Sequence, residues 1–349
     1  MSTQIIQDSA FNLPTRCPAC GSSSSRLVFS VSVSEATQHF VLREEYPERH
    51  RALSQHIGDL WGKESCDIRE CSDCGFGFAH PFVAGDAEFY NLAYPRVNYP
   101  STKWEYSATA RKLEQRSRRP KGDVLDVGAG FGAFLDILKP QLTAGQTPFA
   151  IEYNNSAVTV LREKGYTVLQ DDLRSSLFEQ FEKRFAYIFL FQVVEHMDRL
   201  DDLFHRIKYL LTDDGSAFIA VPNTIRTNFQ EQTGSLIDMP PNHIGRWTPQ
   251  AFSALAQRTG LKLVSTEIEP FSVAKFIMVD LKFSHFKRAQ DSGSIANRLR
   301  SLPASKARKL LETGLALAWA PVRAPVMLRA MRRAEPLGDS ILIELSRRL

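Results

Sequence analysis

Long apolar runs are missing from this chain of 349 residues. The longest candidate, "GLALAWAPV" at Gly314–Val322, falls well short of the roughly 20 residues that cross a bilayer, and Arg323 follows it. No transmembrane function is therefore expected. The opening residues, "MSTQIIQDSA", lack a basic stretch leading into an apolar core, so the sequence predicts no secretory signal and a cytoplasmic protein. Internal repeats and low-complexity tracts are also absent. Net charge is small, +4, so electrostatics alone does not mark a partner. With 43% hydrophobic and 23% charged residues, the chain has the balance of an ordinary globular protein with a large core, and its length suggests two domains.

Cysteine is scarce, yet four of the five stand in pairs: Cys17-Pro-Ala-Cys20-Gly and Cys71-Ser-Asp-Cys74-Gly. In a cytosolic chain such pairs read as a metal site before they read as a redox pair or as bare thiols. Two residues between thiolates let one tight turn aim both sulfurs at one ion, and two such turns complete a tetrahedral structural zinc site. The long gap between them must hold an insertion, and "EEYPERHRALSQHIGDLWG" supplies a helix. Cys66 is left over and reads as a small buried hydrophobe.

From Gly122 onward strand and helix patterns alternate. "DVLDVG", "PFAIEY", "YTVLQ", "FAYIFLFQVV", "GSAFIAVPN", "LKLVSTEIEP" and "DSILIELSRR" read as strands. The fourth is apolar throughout, as in a strand buried on both faces. The helix "RLDDLFHRIKYLL" has Asp198 as its expected N-cap, and "TPQAFSALAQRTG" has Thr248 as N-cap, Pro249 at the first position and Gly260 at the stop. The fold class is thus α/β: a Rossmann-like, seven-stranded, mostly parallel sheet with helices on both faces, plus a small N-terminal four-cysteine zinc module. The expected divisions are 1–82 (zinc-binding module with helical insertion, its first 16 residues a loose start), 83–121 (connector and lid helices), 122–274 (core), 275–335 (basic helical insertion) and 336–349 (last strand). Between His285 and Ala334, eleven Lys/Arg stand against Asp291 and Glu312. Such a segment could meet a membrane surface, a polyanion or a phosphorylated substrate, or form a solvated helical face.

"VLDVGAGFG" carries its glycines at 128, 130 and 132, which is G-x-G-x-G and not the dinucleotide pattern G-x-G-x-x-G. Asp126 sits directly before the loop, where a carboxylate repels a pyrophosphate and attracts an ammonium. About 20 residues past Gly132 comes Glu152, at the end of the next strand, where an acidic side chain can accept hydrogen bonds from ribose hydroxyls. A cofactor with an amino-acid end and a ribose fits both, and S-adenosylmethionine is that molecule. A Rossmann-like domain that binds nothing would explain the glycines but not the two carboxylates.

"VLDVGAGFG", Glu152, "VLQDDL" and "VVEHM…LLTDDGSAFIAVPN" resemble, in order, the motifs of class I S-adenosylmethionine-dependent methyltransferases over about residues 122–270. "CPACG…CSDCGFGFAHP" resembles the N-terminal zinc module of a bacterial group that includes sugar C-methyltransferases. The resemblance implies that Gly128, Gly130 and Gly132 lie against the methionine part and that Asp126 holds its ammonium. It implies Glu152 for the ribose, and Asp172 with the Leu173 amide for adenine. Asp171 competes with Asp172, because the family often has Gly-Asp where this chain has Asp-Asp. It departs again at Ala186, where the family often has an acid. Gln192, Glu195 and His196 follow the fourth strand and so point toward the ligand side, Gln192 at the cofactor. His196 is the expected general base; Glu195 is base, histidine orienter or accessory-metal ligand. His243 is implied for acceptor contact, and Tyr106, with Tyr90, Tyr94 and Trp104, could close over the cofactor beside the acceptor. Loop support and plain packing are the other readings of these residues. The expected reaction is methyl transfer to carbon or oxygen of a small, carbohydrate-like acceptor: a sugar nucleotide, saccharide or natural-product intermediate. An RNA methyltransferase gripping RNA with the zinc module and basic segment is the alternative, but the basic residues are not interleaved with aromatics and no RNA-reading motif occurs. Peripheral membrane contact through 285–334 is open, as is the oligomeric state.

Overall fold

The chain is described by a computed structural model over residues 15–94, 99–232, 239–303, 305–332 and 336–348. The loose start expected over 1–16 therefore lies, apart from its last two residues, outside the described residues. The N-terminal part forms β1 (Ser25–Ser32), α1 (Val33–Phe40), α2 (Pro47–Trp61), β2 (Ser65–Cys71) and β3 (Gly77–His80). Ser32 and Glu35 close a capping box on α1. In α2, Leu53, Ile57 and Trp61 fall four residues apart and are buried together with Val31, Ile68 and Cys66. That helix fills the insertion expected between the cysteine pairs. Cys66 has no exposed surface, and burial pushes its thiol pKa up to about 12.

Two helices, α3 (Ala87–Ala93) and α4 (Trp104–Glu114), lead into the core. There β4 (Asp123–Val127), α5 (Ala133–Leu138), β5 (Pro148–Ile151), α6 (Asn155–Glu163) and β6 (Thr167–Leu169) alternate, followed by β7 (Phe185–Phe191), α7 (Leu200–Leu210) and β8 (Leu211–Pro222). The chain continues through α8 (Thr224–Gln232), β9 (Gly245–Arg246), α9 (Pro249–Thr259) and β10 (Leu261–Ile268). Four helices follow: α10 (Val273–Gln290), α11 (Ile295–Arg300), α12 (Lys306–Ala318) and α13 (Ala320–Met331), before β11 (Ser340–Arg347). The seven-stranded sheet runs β10-β11-β8-β7-β4-β5-β6. Strands β4 to β8 are mutually parallel, while β11 is antiparallel to both neighbours. Every residue of β7 is buried, as its unbroken apolar sequence predicts. The chain reverses its winding direction between β4 and β7, the place where such sheets hold ligands beyond their strand ends.

Several local readings change. The segment "SLFEQFE" reads as helical in the sequence, and Ser176–Phe181 forms a 3-10 helix. Asp198 does not cap α7: Arg199 takes the N-cap position in the left-handed region (φ 46°), and the Asp198 carboxylate accepts from Arg174. Pro321 opens α13 as a stop-and-start signal would, but Pro325 sits inside it. Helix α8 was not legible at all. Its buried side chains include Thr224, Arg226, Thr227 and Gln230, which give no apolar period.

The N-terminal sheet does not stop at residue 82. Its order is β1-β2-β3-β9, so its last strand comes from the core segment. The cysteine turns also rest on α9. The Thr248 hydroxyl donates to the Cys74 carbonyl (2.7 Å) while accepting from Ala251 N (3.1 Å), and Arg258 donates to the Pro18 carbonyl (3.0 Å). Thr248→Ala removes both the helix cap and the tie to the cysteine turn. It is expected to cost about 1–2 kcal/mol, read as a lower urea midpoint; an unchanged midpoint would refute this account of the joint.

Candidate functional site

The first part of the site is the turn after β4. Gly128 (φ 73°) and Gly130 (φ 53°) occupy the left-handed region. A Cβ on Gly128 would come within 2.7 Å of Val193, and one on Gly130 within 2.9 Å of the Tyr99 ring. The glycines are thus demanded by the backbone and by neighbouring side chains, and they say little about a ligand by themselves. The carboxylates say more. Asp126 is 3% exposed, and among the described residues no hydrogen-bond donor reaches it. Burial pushes its pKa up to about 8, with the Glu152 charge adding to the rise and Lys103 opposing it. Glu152 is engaged: Oε2 accepts from Gly130 N (2.8 Å), and Oε1 from Tyr153 N (2.9 Å), Asn154 N (2.9 Å) and the Tyr99 hydroxyl (3.3 Å). It therefore holds the loop shut from beneath while keeping acceptor capacity on Oε2.

Asp172 lies where an adenine contact is expected, but both its oxygens bind the Arg174 guanidinium, at 2.8 and 2.6 Å. Burial raises the Asp172 pKa, yet Arg174 outweighs it and holds the group below the usual range. An adenine amino group there would share the carboxylate with Arg174. Asp171 is turned inward on the same bend, accepting from Asp172 N and Ser175 Oγ. Leu173 is buried beside them. Gln192, itself at φ 59°, donates to Glu105 (3.1 Å) and Ser340 (3.3 Å) and lines a cavity of about 500 Å³ with Lys103 and Lys275. Tyr106 packs on Phe134 and Phe191, and its raised pKa comes from burial first and then from Asp126 and Glu105. Tyr106, expected beside the acceptor, thus lies near Asp126 and Glu105.

The second part follows β7. Glu195 (1% exposed) and His196 lie in the 3-10 turn Val194–His196, and His243 arrives from the loop before β9. The two imidazoles meet edge to face at 4.6 Å between centroids. The Asn242 carbonyl is 2.8 Å from His196 Nδ1, so Nδ1 carries the proton and the lone pair resides on Nε2, which is 3.9 Å from Glu195 Oε1. The Tyr90 hydroxyl is 3.3 Å from the same Nδ1. The backbone locks the arrangement, since Ile244 N donates to the Glu195 carbonyl (2.9 Å). The candidate ligand atoms of Glu195, His196 and His243 all lie within 4.8 Å of one another, so this cluster could also hold a cation.

The four paired cysteines converge in a cluster of their own. Cys17 and Cys74 Sγ are 3.7 Å apart, and Cys20 and Cys71 Sγ 3.5 Å. Each turn is closed by amides bonded to carbonyls around its first cysteine, Gly21 N to Cys17 O and Gly75 N to Cys71 O.

Residues 103–266 match the methyltransferase-domain family. Over this segment, a little under half of its length, the chain is a methyltransferase. Solved structures similar to it include a SAM-dependent methyltransferase from Archaeoglobus fulgidus, with 16% identity over 69% of this chain and 94% of that one (TM-score 0.43). Another is Haemonchus contortus phosphoethanolamine N-methyltransferase 2 in complex with S-adenosyl-L-methionine, with 15% identity over 70% and 53% (TM-score 0.44). No curated protein sequence matches the chain.

Several residues of the methyltransferase escaped sequence reasoning: Tyr99 over the glycine loop, Arg174 on Asp172, and Asn242 behind His196. Tyr99 and Asn242 act across the chain at distances that no local period records, while Arg174, only two residues from Asp172, folds back on it within one turn. The raised pKa of Asp126 has a measurable consequence. The unfolded carboxyl ionises near ~3.9, so between there and about 8 only the folded methyltransferase keeps the proton. The stability this contributes is complete at low pH and is lost as pH rises through about 8. Asp126→Asn cannot titrate, so in ligand-free urea unfolding its midpoint should gain on the parent's between pH 5 and pH 9; a constant difference would contradict the raised pKa.

Proposed function

We propose that this methyltransferase holds S-adenosylmethionine over the turn after β4 and delivers the methyl group to carbon or oxygen of a small hydroxyl-bearing metabolite at the Glu195–His196–His243 centre. The observation that carries the reading is Asp126, a buried carboxyl that no described donor reaches. Such a group is costly unless a cation joins it, and the cofactor's amino-acid ammonium is a cation of fitting size beside a ribose-ready Glu152. Bound there, the cofactor would supply a methyl group on a sulfonium, which needs mainly a well-placed nucleophile.

The chain's own residues do the rest. Glu152 keeps the loop in register through Gly130 N and offers Oε2 to a hydroxyl. His196, oriented by the Asn242 carbonyl, takes the acceptor's proton at Nε2, and buried Glu195 stabilises the imidazolium that results. Tyr90 and the Asn242 carbonyl put polar groups at the opposite ring nitrogen, Nδ1, and His243 packs edge to face on the ring. That lining suits a saccharide, a sugar nucleotide or a related natural-product intermediate.

Cys17, Cys20, Cys71 and Cys74 fit structural zinc. Ion–sulfur bonds of about 2.3 Å at tetrahedral angles separate sulfurs by roughly 3.8 Å, close to the 3.7 and 3.5 Å found here. All four are free thiols in the structure, with no disulfide between them. To the domain divisions read from the sequence we add one amendment: the N-terminal module takes β9 and the start of α9 as its floor.

In calorimetry Asp126→Asn should lose S-adenosylmethionine affinity, whereas His196→Ala should keep it and lose about 10²–10⁴-fold in labelled methyl transfer to product in a cell extract. Unchanged affinity in the first variant sinks the cofactor assignment; full transfer in the second sinks the base. Metal analysis of the purified protein should find about one zinc per chain. Cys17→Ser should lower both that content and the thermal midpoint, and a metal-free protein of unaltered stability would remove zinc from the account.

A further inference from the structure

Helix α12 buries none of its residues. Leu310 is 74% exposed, Leu317 59% and, on α13, Val322 60%, with Trp319 between the two helices at 36%. Leu310, Leu311, Gly314, Leu317 and Ala318 fall on one side of α12 by helical spacing. A continuous apolar stripe of this kind marks a contact surface, unlike single exposed leucines.

Charge decides what the surface contacts. Glu312, the one acid on α12 and α13, pairs with Arg308, and Asp280 of α10 pairs with Arg323. Lys306, Lys309, Arg329 and Arg332 are exposed and form no ion pair with any described residue. An apolar stripe bordered by uncompensated cations, with a tryptophan at its edge, is the chemistry of a helix lying in the headgroup region of an anionic bilayer. A second copy of the chain would bring like charges together across the stripe. A nucleic acid would satisfy the cations and leave the leucines in water. No described helix is long and apolar enough to cross a membrane, so contact is along the surface.

We propose that α12 and α13 dock the methyltransferase on an anionic lipid surface, with Leu310, Leu317, Trp319 and Val322 at the acyl boundary and the four cations at the headgroups. The helices are braced for this by Arg308, which reaches Glu45 of the N-terminal module, and by Met327 and Ala330, buried against Phe276 of α10. Nothing in this docking requires the cofactor or the zinc.

The full chain is sedimented with vesicles of phosphatidylcholine alone, or with about one third phosphatidylglycerol. Binding to the anionic vesicles should exceed that to neutral ones by at least ~10-fold and should fall as salt rises. Leu310→Asp with Val322→Asp should abolish it, and Lys306→Glu with Lys309→Glu should weaken it ~10-fold or more. All substituted positions are exposed, and circular dichroism with thermal melting confirms that each variant is folded. Absence of lipid preference overturns the proposal, as does binding that the aspartates leave intact. A dimer in sedimentation velocity that the aspartates dissolve assigns the stripe to a second copy instead. Salt-sensitive RNA binding that only the glutamates remove assigns the cations to a polyanion.

Discussion

Burial of β7 on both faces organises the enzyme. Seven successive side chains, Phe185 to Phe191, can all leave water only if sheet neighbours flank the strand and helices cover it above and below. Pairing to β4 on one side and β8 on the other follows. It puts the glycine turn after β4 and the Glu195–His196 turn after β7 at the same edge of the sheet, close enough for Val193 to limit what Gly128 can carry. A hydrophobic requirement thereby sets the distance between the polar glycine turn and the polar Glu195–His196 turn.

The polar groups at this edge divide into two kinds. Some serve the fold first. Glu152 ties three backbone amides, and Arg174 bridges Asp172 to Asp198 at the start of α7. Their carboxylates are hydrogen-bonded within the fold, and their geometry is settled before any ligand arrives. Asp126 is of the other kind. It is buried at the strand end and meets no donor among the described residues, so the folded chain carries it at an energetic cost that a cation can relieve. The contrast separates residues that shape the site from one that needs an occupant.

The sequence was informative wherever the governing physics is local. The strand-turn-helix over 124–135, the cap and stop of α9, the α2 insertion and the twin cysteine turns all follow from short-range patterns, and the structure has each of them. Two kinds of feature escaped. Helix α8 buries Thr224, Arg226, Thr227 and Gln230, so hydropathy shows no stripe. The partners that hold the candidate site residues, Tyr99 for Glu152 and Asn242 for His196, come from 53 and 46 residues away and depend on how loops cross. Asp198 failed as a cap for a similar reason: Arg174, a contact from another turn, outcompeted the helix end.

Strand β9 is only two residues long, yet it joins β3 of the front sheet immediately after Ile244 has bonded to the Glu195 carbonyl. Thr248, two residues beyond it, holds the cysteine turn. The front end is therefore not a detachable cassette. Excising it, or grafting it onto another catalytic core, would unpick the wall that carries His243.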